Sequence, residues 1–293
     1  MAIPEAQLET WAQPLSTAAH LTSLTTVRAA LAAGAQLSGK RYEAFLHGSY
    51  RNGTVIDARA GVDLIVQLND SYYDNVSDLP PEHRKFFQTL GPTSASIERW
   101  AGFKAAVVKA LQAGTDQPVR AGFASIQLAG RAGVPTVEVL AGYQYRRYYT
   151  FAARDQRYHE GMVFFAEHGE SVIRYPKLHA EQFARKNAKT QDGLKRLVRI
   201  IKRLRSALVE SAAIPEGLAT SYHIEGLLFN VPDEALASGT LQARLAAALE
   251  FLRGKDASVM KAVNGIQPLC GAGEWDASTA QQFIAGLSAA AAP

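Results

Sequence analysis

A Gly-Ser pair lies between two apolar runs in the stretch HGSYRNGTVIDARAGVDLIVQL, which begins at His47. The first run, Tyr42 to Leu46, is short and aromatic, and it predicts a β-strand that ends at Gly48. The second run, Asp63 to Leu68, predicts another strand, and the segment between the two is rich in turn residues. The first half of the chain therefore contains a sheet.

Helices and further strands are predicted around this pair. Residues 5 to 36 are rich in Ala and Leu at helical spacing, with Gly34 as the predicted stop. Ile97 to Ala113 also predicts a helix, whereas Ala124 to Leu128 and Thr136 to Leu140 predict strands. The first half thus combines helices with a small sheet.

From about Pro176 the pattern becomes mostly helical. The clearest helix, DGLKRLVRIIKRLRSALVE, has one apolar face at i, i+3, i+4, i+7 spacing, formed by Leu194, Leu197, Val198, Ile201, Leu204 and Leu208. Lys195, Arg199 and Lys202 form a cationic edge beside it. Arg205 is expected at a rim or in a polar cleft. A solvated basic face is the alternative to a functional one.

The bulk composition narrows the function. With 293 residues, 47% of them hydrophobic, the chain can bury a large core in one or two domains. A net charge of +4 suits an anionic ligand such as a nucleotide, but it is too small to imply nucleic acid. The single cysteine, Cys270, excludes an intramolecular disulfide and is expected to be a small buried side chain. We find no signal peptide or membrane span and expect a soluble cytoplasmic protein.

Two acidic residues are candidates for metal binding. Asp63 opens its strand, where a carboxylate can bind a Mg²⁺ ion that carries a triphosphate; a turn or capping role is the alternative. Glu138 lies between Val137 and Val139 in an apolar strand, so it must be paired, exposed or functional. If the two strands are neighbours, the two acids could share a metal, although a two-metal site generally needs three carboxylates. Exposure on an edge strand is the alternative for Glu138.

Other residues suit a nucleotide. Gly48 lets the backbone approach an anion closely, and the Ser49 hydroxyl can then bind phosphate oxygens. Ser221 offers a second hydroxyl, and the Tyr222 ring could stack on a base or pack in the core. The seven His residues form no zinc motif with the one Cys, and Walker A, GxGxxG and GxSxG motifs are missing.

Four segments, in order, resemble the cGAS/DncV-like nucleotidyltransferases, which are bacterial cyclic oligonucleotide synthases of antiphage signalling within the DNA polymerase β-like superfamily. The segments are FLHGSYRNGT…VDLIVQL, PTVEVLAGYQYRRYY, YPKLHAEQFARKNAKTQDGLKRLVRIIKRLR and SYHIEGLLFNVP. The resemblance covers most of the chain. It implies an α+β, bilobed fold: a core lobe with a mixed sheet and a long N-terminal helix over residues 1–175, and a helical nucleotide-binding lobe over residues 176–293.

The resemblance also implies roles for residues of the first lobe. Gly48 and Ser49 would hold the donor triphosphate. Asp63 and Glu138 would bind Mg²⁺, with Mn²⁺ as the alternative ion, and Glu138 would accept the proton of the attacking hydroxyl.

In the second lobe, Lys202 and Ser221 would contact phosphates and Tyr222 would stack on a base. The implied reaction makes a cyclic di- or trinucleotide from ATP, GTP or other NTPs, and a protein or nucleic-acid activator would be a further partner. One alternative is a catalytically inactive nucleotide-binding or regulatory protein. A more distant one is a template-independent transferase that adds nucleotides to RNA, DNA or protein.

The chain departs from the family pattern at two positions. Glu138 replaces an Asp, which keeps the charge, whereas Gly61 replaces the first Asp of an Asp-x-Asp pair. The second metal ion would therefore lose a ligand, and Asp57 is the nearby candidate to replace it. Three interpretations stay open: a weak or unusual enzyme, a pseudoenzyme, or an introduced change that traps a substrate complex.

Overall fold

A computed structural model describes residues 3–16, 18–57, 60–90, 97–153, 155–166, 169–271 and 275–291. The chain divides into two compact units. One, which we call the sheet unit, comprises Thr17–Tyr50 and Arg59–Leu178. The other, the helical unit, comprises Met1–Ser16, Arg51–Ala58 and His179–Pro293. A short stretch after the Gly-Ser pair therefore belongs with residues much later in the chain.

Helices and strands follow one another in a simple order. The helices are α1 (Glu5–Ala12), α2 (Ala18–Ala33), α3 (Gly48–Asn52), α4 (Pro81–Leu90), α5 (Ile97–Gly114), α6 (Pro176–Lys189), α7 (Gly193–Glu210), α8 (Ser221–Asn230), α9 (Asp233–Ala237), α10 (Leu241–Gly254) and α11 (Ala277–Ala291). The strands are β1 (Tyr42–Leu46), β2 (Val62–Asn75), β3 (Val119–Ala121), β4 (Ser125–Leu128), β5 (Val137–Ala152), β6 (Asp155–Phe165) and β7 (Ser171–Arg174).

All of these strands join one mixed sheet in the order β1-β2-β5-β4-β3, with β6 paired to β5 and β7 to β6. The β2–β5 pair is parallel and the others are antiparallel. The α+β fold with a mixed sheet is therefore confirmed. β1 matches its prediction, whereas β2 and β5 continue well beyond the predicted strands, because their second halves pair with each other and β5 also pairs with β6.

The helical region predicted over residues 5 to 36 is divided near Pro14. Gln13 is extended, as expected for a residue that precedes proline, and α1 ends before it. α2 then runs to Ala33, so Gly34 follows the helix as predicted. α2 packs against α5, which matches the predicted Ile97–Ala113 helix to within one residue.

α7 lies at the centre of the helical unit. Its predicted apolar face is confirmed, since each of its side chains is at most 9% exposed: Leu194, Leu197, Val198, Ile201, Leu204 and Leu208. α1, α8, α9, α10 and α11 all pack against this helix. Burial of one such side chain stabilises the unit by about 1.5–3 kcal/mol. Cys270 is buried, as expected.

None of the helices in the described part of the chain has the length and apolar character needed to cross a bilayer.

Candidate active site

The two candidate metal ligands are direct partners in the sheet. β2 and β5 run parallel, and Asp63 is paired in register with Glu138. Their neighbours Leu64 and Val139 are completely buried, so the alternation of a strand turns both carboxylates to the opposite face. Asp63 is half-buried and Glu138 is exposed. Because β5 pairs with β2 on one side and β4 on the other, Glu138 does not lie on an edge strand, and that alternative is wrong.

The Gly-Ser pair lies beside this carboxylate pair. The end of β1 is bonded to the start of β2, where the His47 N–H donates to the Asp63 carbonyl at 3.0 Å. Gly48 follows with a φ of +62°, and a Cβ atom there would lie 2.7 Å from Asp63 Oδ2. Glycine is therefore required twice, by the positive φ and by the contact. Ser49 is the second residue of α3 and is half-buried.

Gly61 leaves an open position at the start of β2. It is exposed, and a Cβ atom added there would meet only the Thr136 carbonyl oxygen, at 3.4 Å. The backbone therefore has room for a side chain. Within the ranges that the structure describes, no three His, Cys, Asp or Glu residues are grouped so that they could hold a metal ion. Asp57 is exposed and belongs to the helical unit.

This donor set fits a divalent cation only in part. Carboxylate oxygens are the ligands that Mg²⁺ prefers, and one or two carboxylates together with substrate phosphates commonly hold one Mg²⁺ ion. Asp63 and Glu138 meet that need. A two-ion site requires a further ligand, and Gly61 has no side chain to supply it.

The remaining candidates lie in the helical unit. Ser221 is the first residue of α8, where the helix dipole favours an anion. Thr220 and His223 form a capping box at this helix end. Tyr222 is half-buried and contacts the core of this unit. Its ring is stacked on that of His179, with centroids 5.6 Å apart and planes 30° apart.

The cationic edge of α7 is not a solvated face. Arg199 and Lys202 are 3% and 4% exposed, so that alternative is wrong for both. Arg199 donates to the carbonyls of Ala12 and Gly53, at 2.6 and 2.7 Å, and Lys202 Nζ donates to the Thr54 carbonyl at 2.8 Å. These cations therefore hold backbone segments in place. A phosphate contact for Lys202 stays a prediction.

Arg205 is half-buried and donates to the Ala219 carbonyl at 2.8 Å, in keeping with the expected rim position. Burial lowers the pKa of its guanidinium.

A buried carboxylate on α8 was not singled out from the sequence. Glu225 is 2% exposed and accepts hydrogen bonds from Asn52 Nδ2 at 2.8 Å, Thr54 Oγ1 at 2.7 Å and His179 Nε2 at 2.9 Å. Burial alone would raise its pKa, but the bonds from His179 and Thr54 and the charge of Lys202 outweigh burial, so the pKa is lowered. An acid between Ile224 and the apolar run GLLF was the available signal, since such an acid must be paired.

Comparison with known proteins agrees with this geometry. Residues 181–291 match the model of the cGAS/DncV-like nucleotidyltransferase C-terminal helical domain. A cyclic UMP-AMP synthase of Rhodothermus marinus is 33% identical over 97% of this chain and 96% of its own length. A cyclic nucleotide synthase of Staphylococcus haemolyticus is 31% identical over 97% of both chains.

A solved structure of the Rhodothermus marinus c-UMP-AMP synthase, with Apcpp and Upnpp, superposes with a TM-score of 0.85. The superposition covers 98% of this chain and 95% of the Rhodothermus marinus chain, and the two are 31% identical. Identity at this level over the whole length shows the family. The chain belongs to the cGAS/DncV-like nucleotidyltransferases.

Proposed function

We propose that this chain joins NTPs into a cyclic di- or trinucleotide second messenger, and that Gly61 slows the reaction. The observation that carries the proposal is the register of Asp63 with Glu138, with Gly48 against the first carboxylate. The Rhodothermus marinus and Staphylococcus haemolyticus relatives are cyclic nucleotide synthases, which supports the product class. The analogues bound to the first relative support NTPs as substrates. A role in antiphage signalling follows from the family resemblance.

In this proposal the residues of the sheet unit align the reacting groups. Asp63 and Glu138 would hold Mg²⁺, or Mn²⁺ in its place, which supplies charge neutralisation for the triphosphate when bound. Ser49 would donate its hydroxyl to a phosphate oxygen. Glu138 would accept the proton of the attacking hydroxyl, a role that suits its exposed position. In the helical unit, Ser221 and Lys202 would contact phosphates and Tyr222 would stack on a base.

Gly61 sets the expected rate. Phosphoryl transfer needs carboxylates that neutralise charge and align the attacking hydroxyl with the leaving pyrophosphate. Two are present where the family pattern has three, so we expect NTP binding with slow turnover or none. An aspartate at position 61 fits the backbone without strain, because its Cβ would make one ordinary contact.

The test is the product profile of the purified protein with labelled NTPs and Mg²⁺ or Mn²⁺, separated by thin-layer chromatography. Gly61→Asp should raise product formation strongly, by about a hundredfold or more for a restored charge-stabilising group. Gly61→Asn is the matched control: it has the same size without the charge and should stay near the parent. Asp63→Asn, added to Gly61→Asp, should abolish the gain.

Two results would contradict the proposal. Full-rate synthesis by the parent chain, with no gain from Gly61→Asp, would place a third ligand elsewhere, and Asp57→Asn would be the next variant. If Gly61→Asp makes no product with any NTP pair, also after a cell extract has been added as a source of activator, the second candidate function is favoured. That candidate is a catalytically inactive nucleotide-binding or regulatory protein, and Gly61 is the observation that favours it.

A further inference from the structure

We propose that His179 and Glu225 are positioning residues, which hold the Tyr222 ring in the orientation that stacks on the nucleotide base. The inference rests on the proposed function in one respect: it takes Tyr222 to be a base-stacking residue.

Glu225 joins its own helix, α8, to two segments that are distant in the chain. Asn52 and Thr54, which follow the Gly-Ser pair, each donate to one of its oxygens, and His179 of α6 donates to it as well. The three bonds are 2.7 to 2.9 Å long, within the range of charge-assisted hydrogen bonds. A carboxylate only accepts, so it satisfies three donors at once.

The segment after the Gly-Ser pair is also fixed through its backbone. The carbonyls of Gly53 and Thr54 accept from Arg199 and Lys202, and the Ile56 carbonyl accepts from Arg203 at 2.9 Å. Every side chain in these bonds comes from α7. The second half of the GSYRNGT motif is therefore part of the helical unit, and its Asn and Thr side chains donate hydrogen bonds to Glu225.

His179 connects this network to Tyr222. Its Nε2 atom is bonded to Glu225 at 2.9 Å, which fixes the plane of the imidazole. The face of that ring is stacked on the Tyr222 ring. The imidazole also stacks with Phe183, with ring centroids 6.3 Å apart and planes 17° apart. Tyr222 and Glu225 are three residues apart on α8, so they lie on the same side of the helix. The bond and the stack together leave Tyr222 one preferred orientation.

Two variants separate the bond from the ring. His179→Phe keeps an aromatic ring beside Tyr222 but removes the donor to Glu225. His179→Gln keeps an amide nitrogen near the position of Nε2 but removes the ring. His159→Gln is the matched control, because the His159 ring also contacts a tyrosine ring, that of Tyr149, with centroids 4.8 Å apart and planes tilted by 40°. His159 lies on β6 in the sheet unit.

The experiment measures ATP and GTP dissociation constants by calorimetry and the melting temperature of each variant, alone and combined with Tyr222→Ala. Both His179 variants should weaken binding about threefold to tenfold, in the lower part of the coupling range for contacting residues. Neither should weaken it further once Tyr222 is alanine. Tyr222→Phe, which keeps the ring, should weaken binding much less than Tyr222→Ala does. His159→Gln should bind like the parent.

A purely structural role predicts a different pattern. If the His179 variants lower the melting temperature but bind NTPs with parental affinity, the proposal is wrong. It is also wrong if their binding loss persists in the Tyr222→Ala background. If the parent binds NTPs but Gly61→Asp makes no product, the proposed reaction is refuted and the positioning role stands. A parent that binds no NTP would overturn both.

Discussion

The two units hold their key carboxylates in opposite ways. In the sheet unit, Asp63 is half-buried and Glu138 is exposed at the start of neighbouring parallel strands. In the helical unit, Glu225 is almost fully buried and three side chains donate to it. A buried charge costs several kcal/mol unless its partners compensate it, so Glu225 is a structural centre. Acids that face solvent keep their charge accessible to a cation. The environment, and not the residue type, separates the two roles.

The largest expected difference between these carboxylates is in stability. Glu225→Leu should lower the free energy of unfolding by about 3–5 kcal/mol, because three donors would lose their acceptor and the Lys202 ammonium group would lose a nearby negative charge. Glu138→Gln should change it by about 0.5 kcal/mol or less, since that side chain is exposed. Urea unfolding followed by circular dichroism measures both. Equal losses in the two variants would remove the distinction between the units.

A second difference concerns two predicted phosphate contacts, Ser49 and Lys202. Replacement of either by alanine should weaken ATP or GTP binding about tenfold to a hundredfold, the value of a charge-assisted bond of roughly 1.5–3 kcal/mol. Lys202→Ala should also lower the melting temperature, because its buried ammonium group holds the Thr54 carbonyl. Ser49→Ala should lower the melting temperature less than Lys202→Ala does, because it removes no buried charge. Calorimetry and thermal unfolding separate the two effects.

The control for charge removal is Lys189→Ala, at the exposed end of α6. It should bind nucleotide like the parent. Unchanged affinity in both Ser49→Ala and Lys202→Ala would exclude these residues from the site. If Lys202→Ala lowers the melting temperature but not the affinity for nucleotide, Lys202 has a structural role and no phosphate contact.

The smallest expected effect is on the stability of the protein at acidic pH. The pKa of Glu225 is lowered from its ordinary value of 4.5, so its contribution to stability is fully present above about pH 4.5. It is lost as the pH falls through the lower pKa of the folded state. The stability of the parent should therefore fall more steeply below pH 4.5 than that of Glu225→Gln, which has no proton to gain. Urea midpoints between about pH 7 and pH 3 test this, and parallel curves would contradict it.

Some of the site was accessible from local patterns. The acid between Val137 and Val139 required an explanation as soon as it was placed in an apolar strand, and the structure pairs it with Asp63. The same reasoning applied to Glu225 would have detected a buried acid, since Ile224 and Leu227 predict an apolar helix around it. It would not have identified the partners, because Asn52 and Thr54 are 173 and 171 residues away in the chain.

The sequence by itself determined the local elements: β1, α5 and the apolar face of α7 follow from spacing over a few residues, which depends on backbone geometry alone. The order of the four family segments also identified the family. Only the tertiary structure decided which charged residues are buried. Arg199 and Lys202 have the spacing of a solvated edge, yet the packing of residues 51–56 against α7 buries both. Such contacts form between segments distant in the chain, and short-range periodicity carries no information about them.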